Sequence, residues 1–140
     1  MLKTIIGKVP EIVAAIFITL FLYTAIKKFT DHHSFEWALR KSPLLRGGSR
    51  WLAFLVPSAE LIIVGLLIIP ASRYAGLAAS FVLMSLFTLY IGYMLLFTPH
   101  LPCSCGGILK ELSWRAHLKV NIALTILAGL AICIKRPKKL

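Results

Sequence analysis

The chain has 140 residues, room for one domain, and 59% of them are hydrophobic against 15% charged. With a mean hydropathy of +0.85, it carries more apolar surface than a soluble domain of this size can hide, so the composition points to a bilayer. Sixteen Lys/Arg against five Asp/Glu give a net charge of +11. The basic residues lie between and beyond apolar runs, which suits contact with lipid headgroups and control of topology and excludes a nucleic-acid-binding face.

Four apolar runs are long enough to cross a hydrocarbon core, which needs ~20 helical residues. They cover about residues 9–26, 51–69, 74–97 and 114–134. The fold class expected is an all-α membrane protein, a four-transmembrane-helix bundle forming one integral membrane domain over residues 1–140. The first run reads as a span and not as a cleaved leader, because Lys27 and Lys28 follow it at once and it lacks a small-x-small cleavage site. Between the first two spans, residues 27–50 mix charge with Phe35, Trp37, Leu39, Leu44 and Leu45, the pattern of a short interfacial helix. Ala71-Ser72-Arg73 is a tight turn that makes the second and third spans antiparallel neighbours.

With four spans, both termini share one side, and residues 27–50 share the other with residues 98–113. Counting Lys/Arg does not separate the sides. The basic cluster Lys135–Lys139 favours cytoplasmic termini, which puts the segment before the fourth span outside the cytosol.

That segment carries the most informative motif, Pro102-Cys103-Ser104-Cys105-Gly106-Gly107. Two thiols one residue apart close a small, strained ring on oxidation, and such a disulfide exchanges readily. Cys103 and Cys105 are therefore the candidate catalytic pair. A fixed structural disulfide, a pair of inert thiols, or a metal site with His100 or His117 are the other readings. The last lacks the Cys-x2-Cys spacing usual for zinc, so no metal is expected. Cys133, at the far end of the fourth span, reads as a small apolar residue.

Glu60 lies inside the second span, one turn after Pro57 and Ser58. A carboxylate at that depth must face the bundle interior with a partner or hold a proton. Its readings are proton handling, a hydrogen bond to a bound headgroup, or a structural tie between helices. His117, Asn121 and Thr125 recur every four residues on one face of the fourth span. His117 is the candidate proton carrier for the thiols. Asn121 and Glu60 are candidates for a polar pocket, and Trp114 is a candidate cover for it or a member of the interfacial belt. Ser85, Thr88, Tyr90 and Tyr93 read as packing, and His32-His33 as surface residues.

In order along the chain stand Ser42-Pro43-Leu44-Leu45, Val56-Pro57-Ser58-Ala59-Glu60-Leu61, Leu83-Met84-Ser85-Leu86-Phe87-Thr88-Leu89-Tyr90, Leu101-Pro102-Cys103-Ser104-Cys105-Gly106-Gly107, and Leu112-Ser113-Trp114-Arg115-Ala116-His117-Leu118-Lys119-Val120-Asn121. This series resembles the MauE/DoxX-like redox-associated membrane proteins. The resemblance implies a four-helix bundle in the bacterial inner membrane, serving disulfide formation or electron transfer to an extracytoplasmic thiol or disulfide protein. In plan the bundle is also similar to the quinone-linked disulfide oxidoreductases of the DsbB and vitamin K epoxide reductase types, which makes a quinone the cofactor to consider. It departs from them in having no second cysteine pair on that side. The alternative is a non-enzymatic membrane assembly or scaffold subunit, or a metal-delivery factor.

Overall fold

The computed structural model of the chain describes residues 2–41, 46–97 and 114–134, without the side chains of residues 38, 41, 46, 97 and 114. Five α-helices follow in order: α1 (Leu2–Thr30), α2 (His32–Lys41), α3 (Ser49–Ile68), α4 (Arg73–Phe97) and α5 (Trp114–Ile134). Single 3-10 turns at Arg46–Gly48 and Pro70–Ser72 lead into α3 and α4. Helices α1, α3, α4 and α5 are each long and apolar enough to cross a membrane. The protein is thus a four-helix membrane bundle, with α2 as the short extra helix between its first two spans. Around the bundle the order is α1, α3, α4, α5, each packed on the next and α5 closing on α1, so that α3 and α5 lie across the bundle from one another.

Helix α1 is longer than its apolar run, beginning at Leu2 and ending at Thr30. Its charged ends continue the helix, because nothing at Lys3, Lys8 or Lys27 breaks the backbone pattern and a helix satisfies its own polar groups. The buried residues of α1 are Pro10, Val13, Ala14, Phe17, Phe21, Thr24, Ala25 and Lys28. They form a stripe at three- and four-residue steps. Ser49, Ala53, Pro57, Glu60, Val64 and Leu67 form the matching stripe on α3. His117, Asn121, Ala128 and Ala131 do so on α5.

Lipid tails are as apolar as leucine, so burial from water does not drive these helices together; close packing and polar contacts do. Large side chains such as Leu55, Ile62, Leu89 and Leu96 accordingly point outward. The interior apolar cluster joins Val13, Phe17 and Phe21 to Ile63, Leu67, Leu77, Met84, Ala128 and Ala131. The short link from α3 to α4 is closed by side chains. Ser72 Oγ donates to the Leu66 carbonyl at 2.9 Å, and Arg73 Nε donates to the Leu67 carbonyl at 3.0 Å. These donors satisfy carbonyls that the end of α3 leaves without partners. Helix α2 lies against the start of α3, with Phe35 and Leu39 buried on Ala53 and the His32 ring 4.3 Å from that of Phe54. Its outward side holds His33 and an ion pair between Arg40 and Glu36 at 2.6 Å; Trp37 is 49% exposed.

Gly76 sets how closely α3 and α4 approach. A Cβ there would lie 2.9 Å from Leu67 Cδ2 and 3.0 Å from the Leu67 backbone nitrogen. The backbone nitrogen cannot give way as the tip of a flexible side chain can. Gly76→Ala is expected to cost about 1–3 kcal/mol through overpacking. Gly92→Ala, where a Cβ meets nothing within 4 Å, is expected to cost nothing. Loss of helical signal during denaturation of the detergent-solubilised chain measures both, and equal effects would remove the close-approach role of Gly76.

Candidate functional site

The polar side chains buried in the bundle gather toward one end, where α1 and α4 stop and α3 and α5 begin. The segment with Cys103 and Cys105 joins α4 to α5, so this is called the cysteine end. Buried here are Thr24 and Lys28 of α1, Glu60 of α3, and His117 and Asn121 of α5.

Glu60 stands eleven residues beyond Ser49, about 16 Å along the helix axis. Lys28 is two residues from the end of α1. Helical side chains lean toward their own N-terminus. Because α1 and α3 run in opposite directions, Lys28 leans into the membrane while Glu60 leans back toward the cysteine end. The two meet: Lys28 Nζ donates to Glu60 Oε2 at 2.9 Å, with side-chain exposures of 7% and 1%. Thr24 Oγ1, one turn before Lys28, lies 3.3 Å from the same oxygen. Glu60 Oε1 is buried with no hydrogen-bond partner among the described residues.

Lys28 also engages the remaining neighbours. Its Nζ lies 5.6 Å from the centroid of the Phe35 ring on α2 and 5.7 Å from that of Phe87 on α4, within the range of cation–π attraction. One ammonium group therefore has a neighbour on each of α2, α3 and α4.

On α5, His117 and Asn121 are both buried, with Asn121 at 2% exposure. Thr125 continues their face. It donates to the Asn121 carbonyl at 2.7 Å, and its Oγ1 lies 3.3 Å from Thr88 Oγ1 on α4. Thr88 in turn donates to the Met84 carbonyl at 2.7 Å. Thr88 is thus a packing residue between α4 and α5.

Residues 6–134 match the family model of methylamine utilisation protein MauE. The chain belongs to the MauE family. Neither a curated protein nor a solved structure matches it. The match takes in most of α1, the other four helices and the cysteine segment.

For this MauE-family chain, the residues singled out from the sequence come together in part. Glu60, His117 and Asn121 all turn inward at one end. Glu60 stands on the opposite side of the bundle from the α5 pair, because α3 and α5 lie across it from one another. Cys103 and Cys105 lie outside the described residues, as does the Trp114 side chain, although Trp114 itself opens α5. Cys133 is a free thiol exposed near the end of α5, remote from the site. His33 is exposed. His32 is partly covered, with Nδ1 3.9 Å from Glu36 Oε1.

Sequence reasoning missed Lys28 and Thr24. Lys28 follows an apolar run directly and reads as an interfacial anchor. The signal that finds it is the stripe itself, since continuing Phe17 and Phe21 at helical steps reaches Thr24 and then Lys28.

Removing one member of a buried pair strands the other charge, whereas removing both does not. Lys28→Met is expected to destabilise the bundle by about 3–5 kcal/mol. The double variant Lys28→Met with Glu60→Gln is expected to recover much of that loss. Denaturant titration of the purified variants in detergent reads the difference, and a double variant no better than Lys28→Met would show that the pair is not what holds α1 to α3.

Proposed function

We propose that this MauE-family protein is a membrane thiol–disulfide exchange protein working through Cys103 and Cys105. The observation that carries the reading is the concentration of buried polar groups at the end of the bundle where the Cys-x-Cys segment joins α5, with His117 on the first turn of that helix. Thiol exchange needs a thiolate and a place for its proton, and these groups are of the kind that supplies both.

In the exchange, one cysteine loses its proton, and its sulfur attacks a sulfur of the partner's disulfide. A mixed disulfide forms, and the partner's other sulfur leaves as a thiolate. The second cysteine attacks the mixed disulfide, closing the Cys103–Cys105 bond and releasing the partner's second sulfur. Two electrons pass to the partner, whose two sulfurs take up the two protons given up by the pair. The reverse sequence oxidises the partner. His117 is the group that takes and returns protons beside the thiols.

The partner is a thiol or disulfide protein outside the cytosol, where exposed disulfides persist. This assigns the chain to a bacterial inner membrane with cytoplasmic termini and a periplasmic cysteine segment. The family is named for methylamine utilisation, but the exchange itself requires only protein sulfur. A quinone bound near Glu60 and Asn121 would supply a lipid-soluble acceptor of two electrons and two protons. Reoxidation of the reduced, purified protein by added quinone in vesicles is the expected result. Reoxidation that proceeds equally without quinone would dismiss it.

The competing reading, a scaffold or assembly subunit, is favoured by the Lys28–Glu60 contact acting purely as a tie between α1 and α3. Trapping free thiols with a mass tag in intact cells separates the two. Cys103→Ser or Cys105→Ser is expected to accumulate a mixed disulfide with a partner protein. Full cellular function in the double cysteine variant would leave only the scaffold.

A further inference from the structure

The lipid-facing side of α1 carries a groove that neither the bundle packing nor the proposed exchange uses. It encloses about 750 Å³ and is lined by Ile12, Ala15, Ile16, Thr19, Leu20 and Tyr23, a size usual for small-molecule sites. Ala15 and Thr19 are short, and the larger side chains beside them form its walls. The Thr19 hydroxyl donates to the Ala15 carbonyl of its own helix at 3.0 Å, which leaves no free donor along the floor. From Ile12 to Tyr23 the groove runs about 16 Å along the helix, close to half of a ~30 Å hydrocarbon core. Length and lining suit one acyl chain lying along α1, a helix long and apolar enough to span the membrane.

The two ends of the groove differ. Tyr23 is 40% exposed, and its hydroxyl makes no hydrogen bond among the described residues. One turn further on, Lys27 is exposed on the same face. Helical side chains lean toward the N-terminus, so Lys27 leans over Tyr23 and into the groove. Lys27 has no part in the ion pairs among the described residues, and Asp31, a turn beyond it, forms none with it. At the other end Lys8 is also exposed, but it leans away from Ile12, and Glu11 stands beside it. A phosphate is therefore drawn to the Tyr23–Lys27 end. A second copy of the chain suits the groove less well. Copies in one membrane share an orientation, so two α1 grooves would meet with Lys27 against Lys27, and like charges repel. We propose that this groove binds one anionic phospholipid, with an acyl chain along Ile12–Tyr23 and its phosphate held by the Lys27 ammonium and the Tyr23 hydroxyl.

Native mass spectrometry of the full chain in detergent, titrated with phosphatidylglycerol or with phosphatidylcholine of identical acyl chains, tests the site. One phosphatidylglycerol per chain is expected to bind about fivefold more tightly than phosphatidylcholine, the effect of one lysine on an anionic headgroup. Lys27→Gln is expected to erase that difference, and Lys8→Gln to keep it. Ala15→Phe fills the groove from an exposed position and is expected to lose the retained lipid with helix content unchanged. Equal affinity for the two lipids in the wild type overturns the proposal, as do equal losses from Lys8→Gln and Lys27→Gln. A retained lipid that survives Ala15→Phe also overturns it, since lipid loosely surrounding the bundle behaves that way. So does a two-chain species that Ala15→Phe dissociates, which gives the groove to a second copy.

Discussion

An ionised group cannot be left alone in hydrocarbon, and the contact between Lys28 Nζ and Glu60 Oε2 at 2.9 Å is how this bundle meets that constraint. The contact requires α1 and α3 to run in opposite directions with their buried stripes facing. It also requires α2 to present Phe35, and α4 to present Phe87, to the same ammonium. Whatever moves Lys28 must therefore move several helices. A buried ion pair is weak evidence for stability as such, because desolvation offsets much of the attraction. Its stronger consequence is geometric, since few arrangements of four helices bring these two side chains together.

The interior divides into two halves of different character. Toward the chain termini it is apolar and built of small or close-fitting residues, with Val13, Ala14, Leu67, Leu77 and Ala131 packed together. Gly76 there allows α4 to touch the backbone of α3. Ser80 is the polar exception, and its hydroxyl is turned onto the Gly76 carbonyl of its own helix at 2.8 Å. Toward the cysteine end the interior holds Thr24, Lys28, Glu60, His117 and Asn121. A bundle that needed only to stand in the membrane has no use for that asymmetry. A protein that moves protons to and from thiols at one surface does, and the proposed exchange chemistry draws its support from there.

Much of the candidate site is legible in the order of residues alone. Glu60 stands out because carboxylates within spans are rare, and the i, i+4 steps from His117 to Asn121 to Thr125 put those residues on one face whatever the neighbouring helices are. The short helix between the first two spans is legible from its mixture of charge and aromatic residues. Lys28 is not, because a lysine after an apolar run normally reaches outward to the headgroups. Its opposite behaviour comes from its place near the C-terminal end of α1, where the lean of the side chain points into the membrane.

The sequence by itself determined the number of spans, the class of the fold and which polar residues lie within the spans, because a bilayer of fixed thickness demands apolar runs of fixed length and leaves polar residues within them conspicuous. Only the tertiary structure decided which of those residues meet. The order of helices around the bundle puts α3 opposite α5, so Glu60 meets Lys28 of α1 rather than the polar residues of α5. Periodicity along one helix says which face is buried, but it carries no information about which other helix that face will find.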